Sequence, residues 1–323
     1  MPPAPTFDTT CTQPATPGLQ TYLDSLPAGS TFTSSSTACY LVPTGILLTK
    51  SIKIVGGTFF DPTNALGTVP GQMTPKPIIL IKDTSFVSVS DVSVLGVNTD
   101  GSYHPHLVNQ SGIELKSATD VTLTNITSKN TFGDGLELVE DMTHVPVTRL
   151  QVEGYTIIGA GRQAVTLAEV SHSVLDHVNI VSSADAGFDF ESDIPWLGSD
   201  TVTISNCTNN RGFNMIEPLT GPITVTNCTG SHRINLNGPH ATAQVSFTGG
   251  TMVCRRRDPV PCIRLSGGAM TLTGITMTRE AGLWAPTTPI WAVSNAGKLS
   301  FVHCSIAFPM GWTADTSAMS FIP

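Results

Sequence analysis

"TVTISNCTNN" runs from Thr201 to Asn210, and "ITVTNCTGS" runs from Ile223 to Ser231. Both alternate apolar and hydroxylic residues and end in Asn-Cys-Thr, with the Asn-Cys pairs (206/207 and 227/228) 21 residues apart. Such a pair reads as two glycan-acceptor sequons, as a metal-type cysteine pair, or as one structural unit written twice. A repeat at a period of tens of residues fixes an architecture before anything else does. The stretches on either side therefore decide the matter.

The unit recurs. Strand-like segments line up as "PIILIKD" (77–83), "SGIELKS" (111–117), "DGLELVE" (134–140), "QAVTLAE" (163–169) and "GFDFESD" (187–193). The series continues with "GFNMIEP" (212–218), "INLNGP" (234–239), "CIRLSGG" (262–268) and "IWAVSNA" (290–296). Each is followed by a second segment, such as "DVTLTNITSKN" (120–130) or "MTLTGITMTR" (270–279). Nine units follow one another at steps of roughly 21 to 34 residues, the longer steps reflecting loop insertions. Period-2 alternation with β-branched residues marks strands. A unit of two or three short strands cannot bury its inner face alone, so the units must stack. The expected fold is an all-β, single-stranded parallel β-helix of nine or more coils, with a rise of about 4.8 Å per coil.

In this frame Asn125, Asn179, Asn206 and Asn227 share one turn position, with Asp91 in the same place earlier. Asn tolerates left-handed turn geometry, and its amide bonds to nearby backbone or to the residue stacked above. An amide held in such a ladder is not free for a glycan. The next slot holds Val92, Ile126, Ile180, Cys207, Cys228 and Cys304, so the cysteines there are expected to act as small buried hydrophobes. Cys11 with Cys39 and Cys254 with Cys262 flank a cap and a short polar loop. Both pairs are candidate disulfides, and disulfides belong to oxidising compartments.

Charged residues make up only 12% of the 323 residues, and the net charge is −8. That surface is hydroxylic rather than ionic, and it disfavours nucleic acid and anionic membranes as partners. No apolar run is long enough to span a bilayer. The opening "MPPAPTFDTT" has neither the basic nor the apolar region of a secretory leader. A secreted protein whose leader has been removed and a protein carried in a virus particle are both compatible with that start.

A solenoid must cover its first coil. Leu19, Tyr22, Leu23 and Leu26 fall at i, i+3, i+4 and i+7 behind Thr16 as N-cap and Pro17 at the first helical position, which predicts a short plugging helix. The expected organisation is a cap over 1–29, the β-helix over 30–305 and a C-terminal cap over 306–323.

Gly161-Arg162-Gln163 opening a strand, "AGFDFES" (186–192) and the "VTISNC" and "VTNC" strands resemble right-handed parallel β-helix proteins of the pectate-lyase-like superfamily, of the kind found in actinobacteria and their phages. The resemblance covers roughly residues 30–305. It implies the fold, and it implies a polysaccharide or cell-surface glycan as substrate or ligand, with hydrolases, lyases, C5-epimerases and non-catalytic virion fibres all within the superfamily. "NTDG" (98–101) looks like the first motif of polygalacturonase-type hydrolases. The paired Asp-Asp and Gly-His-Gly motifs that should follow are absent, and "IRL" (263–265) is not Arg-Ile-Lys, so "NTDG" reads as a turn. A pectate-lyase site would want a calcium cluster with a facing Arg or Lys base, and no motif supplies one. No cofactor is expected, and calcium at an acidic row has only charge density behind it.

In proteins of this fold, substrates lie across the outer face of the first sheet. The alternation turns Ile113/Leu115, Leu136/Leu138, Val165/Leu167, Phe188/Phe190 and Phe213/Met215 inward. Glu114, Glu137, Thr166, Asp189, Asn214, Asn235 and Arg264 then point outward in one row, with Asp134, Arg162, Glu191 and Asp193 beside it. Glu137 and Asp189 lead as catalytic candidates, with Glu114, Asp134 and Arg162 in support. Glu114 and Glu137 sit one coil apart, about 5 Å, and Glu137 and Asp189 two coils, about 10 Å. These spacings bracket those of retaining and inverting glycoside hydrolysis. Thr166, Glu191, Asp193, Asn214 and Asn235 are candidate substrate contacts. Loops bring Tyr103, His104, His106, His144 and Trp196 toward them for sugar stacking and hydroxyl recognition.

A plain reading stands beside this one: the row is an ordinary solvated face, and Arg162 with Asp134 is only a cross-coil ion pair. Under it the protein is a structural or glycan-binding β-helix, such as a phage tail or tailspike component, with a homotrimer or other virion proteins as partners.

Overall fold

The computed structural model of the protein describes residues 7–62, 76–139, 145–191, 198–215, 219–230, 233–237, 244–254, 262–279, 291–294, 297–306 and 319–322. Strands dominate, and every strand pairing among the described residues is parallel. One sheet takes a single strand from each turn of the chain. Its ten strands run from Ile46–Leu48 and Ile79–Lys82 through Ile113–Lys116, Leu136–Val139, Val165–Leu167 and Phe188–Phe190 to Trp291–Ser294. After each of these strands the chain turns, contributes to a second sheet of eighteen strands, and returns one rung higher. This is a parallel β-helix. The repeat in the sequence begins its rungs at 77; the structure adds an earlier one at Ile46–Leu48, written in the short segment "GILLTK".

The core is the inside of the coil. The residues expected to point inward from the first sheet, Ile113 through Met215, are all buried in one continuous apolar column. Phe188 and Phe213 stack face to face on successive rungs with ring centroids 5.0 Å apart and 7° between planes. Aromatic pairs of that kind contribute about 0.5–1.5 kcal/mol beyond their buried area.

The second sheet bends at a column of left-handed residues. In register from rung to rung these are Gly56, Asp91, Asn125, Gly154, His177, Asn206, Asn227, Gly249, Gly274 and His303, with φ between 52° and 78°. Asn125 donates to Asp91 at 3.1 Å, and Asn206 donates to Asp176 at 2.8 Å. The expected ladder is therefore present, with one correction. Asn179 pairs with Thr208 two positions further along the strand, and His177 occupies the turn slot instead. The slot after the bend likewise holds Val178, not Ile180.

Cys207 and Cys228 occupy that slot on neighbouring rungs and are buried, as expected for hydrophobes there. They are not free, however: their Cα atoms lie 4.4 Å apart and the sulfurs are bonded. Stacking places identical slots within disulfide reach. Cys11–Cys39 and Cys254–Cys262 are also disulfides, and Cys304 is a free thiol.

The helix Gly18–Ser25 lies over the first rung with Leu19 and Leu23 buried in the core. Pro17 is its N-cap, one residue later than the sequence placed it, and Thr16 makes no side-chain cap. Tyr22 joins an aromatic chain through Phe32 and Tyr40 to Phe59. Gln20 donates to the Leu47 carbonyl and accepts from the Leu47 amide, both at 2.8 Å. At the other end Met319–Ile322 pairs in register with Leu299 to Val302, so rungs continue past residue 305. No helix among the described residues is long and apolar enough to cross a membrane.

Candidate functional site: a proton-rich carboxylate row

Strand register sets Leu80, Glu114, Glu137, Thr166, Asp189, Asn214, Asn235 and Arg264 in one column on the outer face of the ten-stranded sheet. A second column precedes the strands by two residues: Ser111, Asp134 and Gln163. Only a small residue fits between the columns. At Gly135 an added Cβ would lie 2.5 Å from the Ile157 side chain and 2.9 Å from the Ala164 carbonyl.

The two columns are joined on the diagonal, each residue of the second bonding to the residue of the first that lies one rung on. Ser111 donates to Glu137. Thr166 donates to Asp134 at 2.5 Å, and Gln163 donates to Asp189 at 2.7 Å. The Gln163 backbone N–H also reaches Asp134 at 3.0 Å. Beyond Asp189 the links become vertical, with Asn214 donating to Asp189 and Asn235 donating to Asn214, each at 2.9 Å. Arg162 stands at the junction. Its Nη1 is 3.6 Å from both Asp134 and Glu137, and its Nη2 is 3.0 Å from Glu191.

This is not a solvated face. Asp134, Asp189 and Thr166 are at most 2% exposed, and Glu114 and Asn235 stay below 9%. Glu137 and Glu114 keep 13% and 11% of their side chains accessible, and Glu191 keeps 38%. Surface ion pairs contribute little, but here one guanidinium serves several carboxylates, of which Asp134 is fully buried.

Electrostatics follow from the burial. Glu114 is pushed up to about 7, first by desolvation and then by the charge on Glu137, against the pull of Lys116 and Lys82. Asp189 is likewise pushed up to about 7 by burial and by Glu191, although Gln163 and Asn214 hydrogen-bond its charged form. Asp134 is held well above the ordinary carboxylate range by burial and by Glu137. Burial alone would lower the Arg162 pKa; Asp134, Glu137, Glu191 and Asp189 outweigh it and raise the value. Burial thus holds protons on Glu114, Asp134 and Asp189 to higher pH than an ordinary carboxylate would, beside the Arg162 guanidinium, and a carboxyl tuned toward neutrality is what general acid–base chemistry requires. Among the described residues, no group of three or more His, Cys, Asp or Glu side chains converges as metal ligands would.

The loop candidates divide. "NTDG" is a turn, as the sequence suggested: the Asp100 side chain accepts from the Ser102 amide at 2.8 Å, and Gly101 has φ 62°. His104 lies 3.6 Å from Asp100 of its own loop and packs edge-on, at 5.2 Å, against Phe132 at the corner before Asp134. Tyr103 and His106 are exposed. His144, Asp193 and Trp196 lie outside the described residues. Arg264 is exposed at the far end of the row. Ser111 and Gln163 join the site without having been expected there. The signal for them was the repeat itself, which aligns both with Asp134.

No protein-family model matches the chain, and no curated protein matches it. Solved structures do match, by fold. The endo-xylogalacturonan hydrolase from Aspergillus tubingensis superposes with a TM-score of 0.69 at 12% identity, covering 98% of this chain and 94% of that one. ORF18 of Geobacillus virus E2 gives 0.66 at 12% identity over 93% of this chain, which spans 60% of the viral protein. The polygalacturonase from Erwinia carotovora ssp. carotovora gives 0.58 at 10% identity, covering 98% and 96%. The fold shared with these structures is the right-handed parallel β-helix.

Proposed function

We propose that this protein is a polysaccharide-active β-helix enzyme that hydrolyses an acidic glycan outside the cell or at a cell surface, with Glu114 and Glu137 as the reacting pair. The observation that carries the reading is the pairing itself. Glu114 and Glu137 are directly opposed on adjacent rungs, one pushed up to about 7 and the other beside Arg162. They are also the accessible carboxyls of the central row. Glu114 is the proton donor to the leaving oxygen, and Glu137 is the ionised partner. Adjacent rungs, about 5 Å apart, match the retaining spacing. Asp189, at 1% exposure and bonded on both oxygens, supports the row and does not touch substrate.

The acidic substrate is supported by Lys82 and Lys116, which stack on adjacent rungs of the same face next to Glu114. Two of the neighbours by fold are named as hydrolases of xylogalacturonan and polygalacturonan. Three disulfides fit an oxidising, extracellular setting.

The test is a panel of acidic and neutral polysaccharides, read by new reducing ends and by unsaturated-uronate absorbance. Reducing ends without unsaturation are expected, with a loss of about 10²–10⁴-fold in Glu137→Gln and Glu114→Gln. Unsaturated product would mean lyase chemistry. Binding without turnover in the wild type would leave a glycan-binding fibre, the role a phage tail component would have.

A further inference from the structure

Glu114 and Glu137 compete for one proton, and nothing in two glutamates on adjacent rungs says which keeps it. Their surroundings differ in one respect that does. Ser111 is fully buried, and its hydroxyl lies between the Asp134 backbone N–H, at 3.4 Å, and a Glu137 carboxyl oxygen. A backbone N–H can only donate, so the Ser111 oxygen accepts from Asp134, while its own hydrogen is donated to the Glu137 carboxyl oxygen. A donor aimed at a carboxyl oxygen favours the ionised form. Arg162, 3.6 Å from the other Glu137 oxygen, acts in the same sense. Glu114 has Lys116 at 3.5 Å, with Lys82 one rung away.

We infer that Ser111 is a positioning residue that assigns the shared proton, fixing Glu137 as the charged member of the pair and leaving the proton on Glu114. The inference rests on the proposed use of the pair but concerns its resting state, so it can be tested without turnover. Among the described residues, the charged and titratable groups that face Glu137 include Glu114 from the preceding rung and Asp134 and Arg162 from the corner before the strands. Asp189 and Glu191 act on it through Arg162. None of these supplies a neutral hydroxyl donor as Ser111 does, so deleting that hydroxyl changes the order of protonation while leaving every charge in place.

The experiment is an NMR titration of the full chain labelled with carboxyl-¹³C glutamate, with Glu137 and Glu114 assigned from their Gln variants. In Ser111→Ala the Glu137 midpoint should rise by roughly one pH unit, while the Glu114 midpoint falls as the proton divides between them. Ser111→Thr, which restores the hydroxyl, should return both. Ser111→Cys, close in size and a weak donor, should behave as Ala does and stands in if the Ala chain does not fold. Where turnover is measurable, the acid limb of the pH profile of kcat/KM should move upward with Glu137. Midpoints unchanged in Ser111→Ala and Ser111→Cys overturn the inference. Shifted midpoints in a protein that cleaves no glycan keep it and remove the enzymatic reading instead.

Discussion

Gln163 reaches across one rung to donate its side-chain amide to Asp189 at 2.7 Å, while Asn214 approaches the other Asp189 oxygen from the next rung at 2.9 Å. Two neutral donors favour a carboxylate, yet Asp189 is pushed up to about 7, because burial and Glu191 outweigh them.

The protonated row should make the fold more stable in mild acid. Asp189 and Glu114 titrate near 7 in the folded chain and near 3.8 and 4.5 unfolded. The folded form thus holds protons that the unfolded chain has already lost. Their contribution is complete below about pH 4 and disappears as pH rises through about 7, each tenfold gain in proton affinity on folding amounting to about 1.4 kcal/mol before solvent screening. Urea unfolding across that range should show stability falling as pH rises, and Asp189→Asn should flatten the curve. The lowered carboxyls, such as Asp176 with its Ser205, Asn206 and His177 partners, act in the opposite sense and only at lower pH. A wild-type curve that rises from pH 4 to 7 would contradict the assignment.

The left-handed column predicts an inverted substitution order. Asn206 has φ 52°, where a Cβ costs about 1–2 kcal/mol that Asn, unlike Ala, offsets through the hydrogen bond of its side chain to Asp176. Asn206→Ala should therefore destabilise by about that amount, and Asn206→Val by more, since β-branched residues fit this geometry worst. Asn206→Gly should be the mildest, losing mainly the 2.8 Å bond to Asp176. Denaturant midpoints of the three variants settle the order, and Ala milder than Gly would refute it.

Of the disulfides, Cys11–Cys39 closes 28 residues and Cys254–Cys262 closes 8. On chain entropy the longer loop should stabilise by about 1 kcal/mol more. Paired alanine replacements, compared by thermal unfolding, should show the larger loss at Cys11/Cys39. An equal or reversed order would mean that native-state contacts, rather than the unfolded chain, govern both bonds.

Much of this was legible in the sequence because a parallel β-helix has only two rules, alternation and stacking. Alternation alone put Glu114, Glu137, Thr166, Asp189, Asn214 and Asn235 into the column they occupy. The same stacking implied a Cys207–Cys228 bond, since one slot on adjacent rungs brings Cα atoms within disulfide range; reading the slot as hydrophobic concealed it. Asn179 was misplaced because like was matched to like, whereas the turn there is made by His177. The burial of the row, and with it the raised pKa of each acid, could not be read from strands. It depends on the bonds that Ser111, Arg162 and Gln163 bring from the corner before the strands, where the alternation stops.

The pair of 2.8 Å bonds between Gln20 and the Leu47 backbone has a consequence for how molecules meet. The carboxamide offers the outermost strand the same donor and acceptor that an incoming peptide would, and so occupies the place where another chain could extend the sheet. Gln20→Ala would bare that edge and invite end-to-end filaments, so a single glutamine helps keep this column of rungs finite.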